Sequence, residues 1–194
     1  MKKIIGLSLA TAALFAYQPD YKQIFLPTPA KVEVKKQEFD KDIRFVLDEV
    51  TKIFDSNKKE IGEIYEGTMV KVVDTKNDLS KVEVSGKVVE NSLAFSDSGE
   101  FKYLTLKNKP EPTMTFWVKT SALTNDKEAA FEAVEVFYYD SCTSCHAAHG
   151  PHEHEMNEWD AYLGAMQMNA KITDEQKDRI LRYMQAHASD GQFK

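Results

Sequence analysis

The hydrophobic pattern of this chain changes its period at about residue 123. Over residues 38–123, short β-branched segments alternate apolar with polar residues and are separated by turn residues. Alternating side chains point to opposite faces of a strand, so this pattern predicts a small antiparallel β domain. After residue 123 apolar residues recur at helical spacing, as in Trp159, Tyr162, Leu163 and Met166. We therefore predict an α+β chain with a β domain over 38–123 and a helical domain over 124–194.

The first residues carry a third pattern. Lys2 and Lys3 precede thirteen uncharged residues, after which the chain becomes polar. Thirteen helical residues cover about 20 Å, less than a hydrocarbon core of about 30 Å. Residues 1–16 are therefore predicted to be a secretory signal peptide, with a buried helix or an uncleaved anchor as the alternative. Residues 17–37, which hold three prolines and a basic run, are predicted to be a linker. The expected location is the periplasm, with no membrane span in the mature chain.

Only two cysteines occur, Cys142 and Cys145, and His146 follows them directly. In an exported protein a cysteine pair usually suggests a disulfide. The spacing C-x-x-C-H favours another chemistry, because two thiols on one helical turn can add to the two vinyl groups of a porphyrin. The next residue then places an imidazole under the iron. The motif predicts one covalent haem c bound through Cys142 and Cys145, with His146 as proximal ligand. A redox dithiol would need a βαβ setting, which this neighbourhood lacks.

Three helices are predicted in the haem region. The first begins at an N-cap at Thr124, the second begins near Asn157 and has an apolar stripe that ends at Met166, and the third begins with a capping box from Thr173 to Gln176. Three helices form a small core, and domains of this size often need a covalent or metal staple. Haem would be that staple. The side chains expected around it are Phe131, Val134, Trp159, Leu163, Ile180 and Leu181.

The β domain resembles a bacterial SH3-like barrel. The resemblance is carried by Glu60–Val73, Lys81–Val84 and Phe116–Leu123: in that family a Gly-Thr pair starts a strand, and an aromatic-Trp-Val strand closes the barrel. It implies a small SH3-like β-barrel, with residues 89–115 as a longer insertion than the family normally carries. We expect Trp117 in the core, and the alternative is a peptide groove formed with Tyr65 and Phe116.

The haem region, from Thr120 to Ala188, resembles class I c-type cytochrome domains. The matching elements are the C-x-x-C-H motif, Trp159 at the start of a helix, Met166 seven residues later, an acidic cap at residues 173–175, and a last helix containing Tyr183. The resemblance implies a three-helix class I cytochrome c domain with Met166 as the sixth iron ligand. The alternative ligands are Met168, His149, His152, His154 and His187.

Residues 45–190 together are similar to the C-terminal monohaem domain of pentahaem cytochromes that serve trimethylamine N-oxide reductases. This chain has a single C-x-x-C-H and therefore lacks the tetrahaem half that takes electrons from quinol in that family. The resemblance implies a soluble monohaem electron carrier rather than an enzyme. Its partners would be a periplasmic molybdenum oxidoreductase, such as an N-oxide or S-oxide reductase, and a redox donor.

Other function classes stay open at this point. Cys142 and Cys145 with two histidines of the 149–154 loop would suit a zinc module, and that loop alone could form a surface divalent-metal site. A haem enzyme such as a peroxidase would need an open distal side, and an SH3-like binding module would keep its partners without haem. Residues 124–194 carry 13 acidic against 6 basic residues, which favours a basic partner surface and no nucleic-acid role.

Overall fold

The computed structural model describes residues 39–193, so the predicted signal peptide (1–16) and linker (17–37) lie outside the described residues. The strands in this part of the chain are β1 (Ile43–Val46), β2 (Val50–Phe54), β3 (Glu60–Tyr65), β4 (Met69–Lys76), β5 (Leu79–Ser85), β6 (Lys87–Val89), β7 (Ser92–Ala94), β8 (Lys102–Leu106), β9 (Thr113–Lys119) and β10 (Leu123–Thr124). The α-helices are α1 (Lys127–Cys142), α2 (Met156–Ala170) and α3 (Asp174–Ala186). Strands thus give way to helices where the period of the sequence changes.

The strands form one antiparallel sheet in the order β10-β1-β4-β5-β9-β2-β3-β8-β7-β6. Its edges, β10 and β6, do not pair with each other, so the sheet is open and the predicted SH3-like β-barrel is wrong. The reason lies in the insertion at 89–115. Its strand β8 pairs with β3, with Gly62 opposite Leu106 and Ile64 opposite Leu104. This occupies the outer edge of β3, and β7 and β6 extend the sheet further instead of closing it.

Alternation along β9 decides which aromatic residue enters the core. Phe116 is 1% exposed and Val118 is fully buried, whereas Trp117 between them is half-buried on the other face of the sheet. There Trp117 lines a surface cavity together with Phe54 and Leu79. The expectation of a core tryptophan is therefore wrong. The alternative groove is not formed either, because Phe116 points inward and Tyr65 lies under the guanidinium of Arg182, 4.1 Å from its ring centroid.

The helices pack on the sheet and share its core. Phe193, which follows α3, has its ring centroid 6.0 Å from Phe45 of β1 and 5.7 Å from Phe131 of α1. All the described residues belong to one compact unit. The predicted three-helix class I cytochrome c domain, standing beside a barrel, is therefore wrong. The helices alone would bury too little apolar surface, and the sheet supplies the rest of their core.

Polar contacts add to this packing. Arg179 of α3 donates from Nε and Nη2 to the two carboxylate oxygens of Glu66, at 2.6 and 2.7 Å, and Glu66 is only 4% exposed. Gln185 of the same helix accepts a bond from the Phe101 backbone N–H at 2.7 Å and donates to the Met156 carbonyl at 3.0 Å. These bonds fix α3 against both the sheet and the start of α2. No helix in the described range 39–193 is long and apolar enough to cross a membrane.

Candidate haem site

The end of α1 presents the two cysteines. Thr143 caps the helix, and both its backbone N–H and its hydroxyl donate to the Tyr139 carbonyl, at 3.0 and 2.7 Å. The chain then turns through residues 143–145, so Cys142 and Cys145 lie one helical turn apart. Both thiols are free: Cys142 is half-buried and Cys145 is exposed. Burial raises the pKa of the Cys142 thiol, which keeps it protonated at neutral pH. We call residues 142–146 the attachment turn.

His146 is exposed and its imidazole is oriented by the backbone. Its Nδ1 lies 2.8 Å from the carbonyl oxygen of Ala147. A carbonyl oxygen can only accept a hydrogen bond, so Nδ1 carries the proton and the lone pair of the neutral ring is on Nε2. Proximal and metal-ligating histidines are commonly held in this way by a backbone carbonyl. The arrangement thus leaves Nε2 of His146 available to an iron.

Helices α1 and α2, on either side of the attachment turn in the sequence, each expose apolar side chains. Helix α3 packs against both α1 and α2, whereas α1 and α2 have at most isolated contacts with each other. Both helices expose large apolar side chains to solvent; these are Val136, Tyr162, Met166 and Met168. The two free thiols and the Nε2 atom of His146 are the groups through which a covalently attached haem would be held.

The two methionines considered as sixth ligand both lie within α2, which continues to Ala170, beyond the predicted end of its apolar stripe. Met166 is 46% exposed and Met168 is 90% exposed. At 3.6 residues per turn, two residues that are two positions apart differ by about 200° around the axis, so the two thioethers leave the helix on opposite sides. Met166 shares its side with the buried Trp159 and Leu163, whereas Met168 points to solvent.

The five histidines divide into two environments. His187, one of the alternative ligands, packs its ring against Phe131, Tyr183 and Phe193 at centroid distances of 4.6, 5.0 and 5.6 Å. Burial, with a smaller contribution from the charge of Lys127, lowers the pKa of His187 to about 4 against the hydrogen bond to the Tyr183 carbonyl, which raises it. This imidazole is part of the core shared with the sheet. The other four lie between α1 and α2, where the ring centroids of His146 and His149 are 6.3 Å apart.

The zinc module that the sequence left open as an alternative is not assembled among the described residues. In the part of the chain that the structure describes, the histidine, cysteine and acidic side chains grouped closely enough to hold a metal ion are those of His149, Glu153 and His154. Neither Cys142 nor Cys145 belongs to this group. The histidines of the loop thus form an arrangement separate from the two thiols.

Two side-chain hydrogen bonds that the sequence did not predict hold the loop between α1 and α2. The Tyr138 hydroxyl donates to the His149 carbonyl at 2.8 Å, and Trp159 Nε1 donates to the Pro151 carbonyl at 3.0 Å. Only the three-dimensional structure reveals these bonds, because no motif links an aromatic residue to a carbonyl eight or eleven positions away. No family model, no curated protein and no solved structure matches this chain.

Proposed function

We propose that this protein is a periplasmic monohaem c-type cytochrome that carries electrons to or from a periplasmic molybdenum oxidoreductase of the N-oxide or S-oxide reductase type. The attachment turn is the observation that carries the proposal. Its two thiols are unpaired and one helical turn apart, and the following imidazole has its Nδ1 proton bound to a carbonyl. The identity of the partner rests on the sequence resemblance alone.

Three residues of the attachment turn would hold the haem. The thiols of Cys142 and Cys145 would form the two thioether bonds by adding S–H across the vinyl groups, an addition that needs no oxidant. His146 would ligate the iron through the Nε2 lone pair, and the Ala147 carbonyl fixes the tautomer that makes this possible. Haem, when bound, supplies a one-electron couple between ferric and ferrous iron.

Met166 is the proposed sixth ligand. A thioether is a soft donor that favours ferrous iron and so raises the reduction potential. In that role it would also close the iron to substrate, which favours electron transfer over peroxidase chemistry. Within α2, Met166 lies on the side of the buried Trp159, whereas Met168 is almost fully exposed.

The charge of the helical part supports a basic partner. Helix α1, which leads to the attachment turn, exposes four carboxylates, those of Glu128, Glu132, Glu135 and Asp140. Fields of one sign steer an oppositely charged partner and accelerate its encounter. The association rate with the partner oxidoreductase should therefore fall as ionic strength rises. A rate indifferent to salt would move docking to apolar contacts or to the sheet.

The decisive experiment is a pyridine haemochrome spectrum of the denatured, exported protein. We expect one haem per chain held through two thioethers. Cys142→Ser and Cys145→Ser should each shift the spectrum to that of a single thioether, and the double variant should contain no covalent haem. Ser144→Ala, in the same turn, is the matched control and should keep full haem content. Exported wild-type protein without covalent haem would refute the proposal.

Export itself is tested by deleting residues 2–16. Thioether formation needs reduced thiols and haem together in the maturation compartment, so the shortened protein should be colourless. The same haem content in the cytoplasmic form as in the exported form would contradict both the export and the attachment hypotheses.

A further inference from the structure

We infer that the loop between α1 and α2 binds a divalent d-block cation, Zn²⁺ in the first place, through His149, Glu153 and His154. This site is distinct from the proposed haem and does not depend on it. One ligand atom from each of the three residues lies within 4.8 Å of the others. Ligand atoms in a tetrahedral zinc site are about 3.4 Å apart for bonds of about 2.1 Å, so a small side-chain movement completes the site.

The backbone of the loop is fixed before any cation arrives. On one side, His149 is tied to α1 through the Tyr138 hydroxyl at 2.8 Å. On the other, the His154 carbonyl accepts from the backbone N–H of Ser189 at 3.0 Å. Between them the Pro151 carbonyl is bound by the indole of Trp159. A site whose backbone is already anchored loses little conformational entropy on binding a metal.

The side chains are oriented as well. Glu153 accepts the Gly150 backbone N–H at 2.7 Å with Oε1, which directs Oε2 to His149 Nδ1 at 2.8 Å. The imidazole of His154 lies against Tyr162, with ring centroids 4.2 Å apart, and Glu158 is 3.7 Å from its Nδ1. A carboxylate beside a ligating imidazole is a common second partner at metal sites.

The donor set selects the class of cation. Imidazole nitrogens suit zinc, copper and nickel, whereas calcium and magnesium prefer oxygen ligands only. Three protein ligands leave a fourth position for water. Water can reach it, because the side chains of His149 and Glu153 are 57% and 44% exposed. A pair such as His149 and Glu153 alone would be an ordinary surface ion pair. The third ligand, His154, held by aromatic packing, distinguishes this group from such a pair.

The test is calorimetric titration of Zn²⁺ into the metal-stripped, full-length exported protein. We expect one ion per chain. His149→Gln and His154→Gln should each weaken binding at least tenfold, because each removes one of three ligands. His152→Gln is the matched control: it is the same substitution in the same loop at a residue outside the ligand group, and its affinity should stay within about twofold of wild type.

Glu153→Gln guards against a folding artefact. Glutamine keeps a side-chain oxygen for the Gly150 N–H, so the loop stays capped while the anionic ligand is lost. It too should weaken zinc binding at least tenfold. No stoichiometric binding by wild type, or an equal loss in His152→Gln, would overturn the inference.

The remaining outcomes separate this inference from the proposed function. If zinc binding is lost in the Cys142→Ser, Cys145→Ser double variant but survives in the histidine variants, zinc sits on the thiols and both ideas fail. A haem spectrum altered by His149→Gln or His154→Gln without zinc would assign that imidazole to iron, which overturns the inference and leaves the cytochrome intact. A colourless protein whose zinc site needs His149 and His154 would confirm the inference and refute the haem.

Discussion

His187 and His146 lie in the same helical half of the chain, yet their surroundings are opposite. His187 packs among aromatic rings against the sheet, and its Nδ1 is bound to the Tyr183 carbonyl at 3.1 Å. His146 is exposed, and its Nδ1 is bound to the Ala147 carbonyl at 2.8 Å. The first region contributes stability, and the second leaves its donor groups free. Substitutions should therefore separate the two: those facing the sheet change the free energy of unfolding, and those at the attachment turn change the chemistry.

The largest effect on stability is expected at Gly67, in the sheet-facing region. Its φ is +72°, and a Cβ there would lie 2.0 Å from the Phe131 ring of α1. A left-handed conformation costs a non-glycine residue about 1–2 kcal/mol, and overpacking costs about 1–3 kcal/mol more. Gly67→Ala should therefore lower the free energy of unfolding by about 4 kcal/mol, measured by urea denaturation.

Gly164 provides the control for this substitution. It lies in α2, and a Cβ there would meet no atom within 4 Å. Gly164→Ala should stabilise the protein by about 0.5–1 kcal/mol, because alanine has the higher helix propensity. A loss at Gly67 well above about 2 kcal/mol, the most that the left-handed backbone alone can cost, would show that Phe131 of α1 packs on this glycine. A loss of only about 1–2 kcal/mol would mean that α1 does not cover Gly67 in solution.

A somewhat smaller loss is expected from the buried ion pair between α3 and the sheet. Arg179→Met leaves the carboxylate of Glu66, which is 4% exposed, without its cation. An uncompensated buried charge costs about 3 kcal/mol. Lys52→Met, which removes the exposed partner of Glu63, is the comparison and should cost less than about 1 kcal/mol. Similar losses in the two variants would show that Glu66 is hydrated.

The third effect depends on pH. Because burial lowers the pKa of His187 to about 4 in the folded protein, the unfolded chain binds a proton below its ordinary pKa of about 6.5 while the folded protein does not. The contribution of His187 to the free energy of unfolding is therefore fully present above pH 6.5 and is lost as pH falls towards 4. Between pH 7 and pH 5 this loss amounts to about 2 kcal/mol.

The measurement compares wild type with His187→Phe, in which the carboxylates titrate alike. Urea unfolding curves at a series of pH values should show wild type losing about 2 kcal/mol more than the variant over this range. If the free energies of unfolding of the two proteins change with pH in parallel, His187 is in contact with water and does not differ from His146 in this respect.

Local features could be predicted from the sequence, and long-range ones could not. The capping box of α3 is confirmed, with the Thr173 hydroxyl accepting from the Gln176 N–H at 3.3 Å and the Gln176 side chain accepting from the Thr173 N–H at 2.9 Å. Helix α1, by contrast, is capped by Asp126 and not by Thr124. Thr124 is used in β10, opposite Phe45, a pairing across almost eighty residues that no local pattern contains.

The same limit applies to the sheet and to the candidate site. The alternation of β3 and β8 predicts strands, but not that β8 would take the edge needed to close a barrel. The attachment motif could be recognised because its residues are adjacent in sequence. The hydrogen bond from His146 to the Ala147 carbonyl, which selects the tautomer, could not be recognised from the sequence. The packing of Phe131 against Gly67 could not be recognised either, and Phe131 had been expected beside a porphyrin.

The smallest effect on stability, and the sharpest on chemistry, is expected at the two methionines of α2. Both are exposed, at 46% and 90%, so Met166→Ala and Met168→Ala should each change the free energy of unfolding by less than about 1 kcal/mol. If Met166 is the sixth ligand, Met166→Ala alone should abolish the far-red sulfur-to-iron band of ferric protein and open ferrous iron to carbon monoxide. Met168→Ala should leave both properties unchanged, because its side chain leaves the helix on the opposite side. A band lost only in Met168→Ala would exchange the two assignments. Wild-type protein without the band would indicate a nitrogen ligand, with a lower potential, while the attachment through Cys142 and Cys145 would still stand.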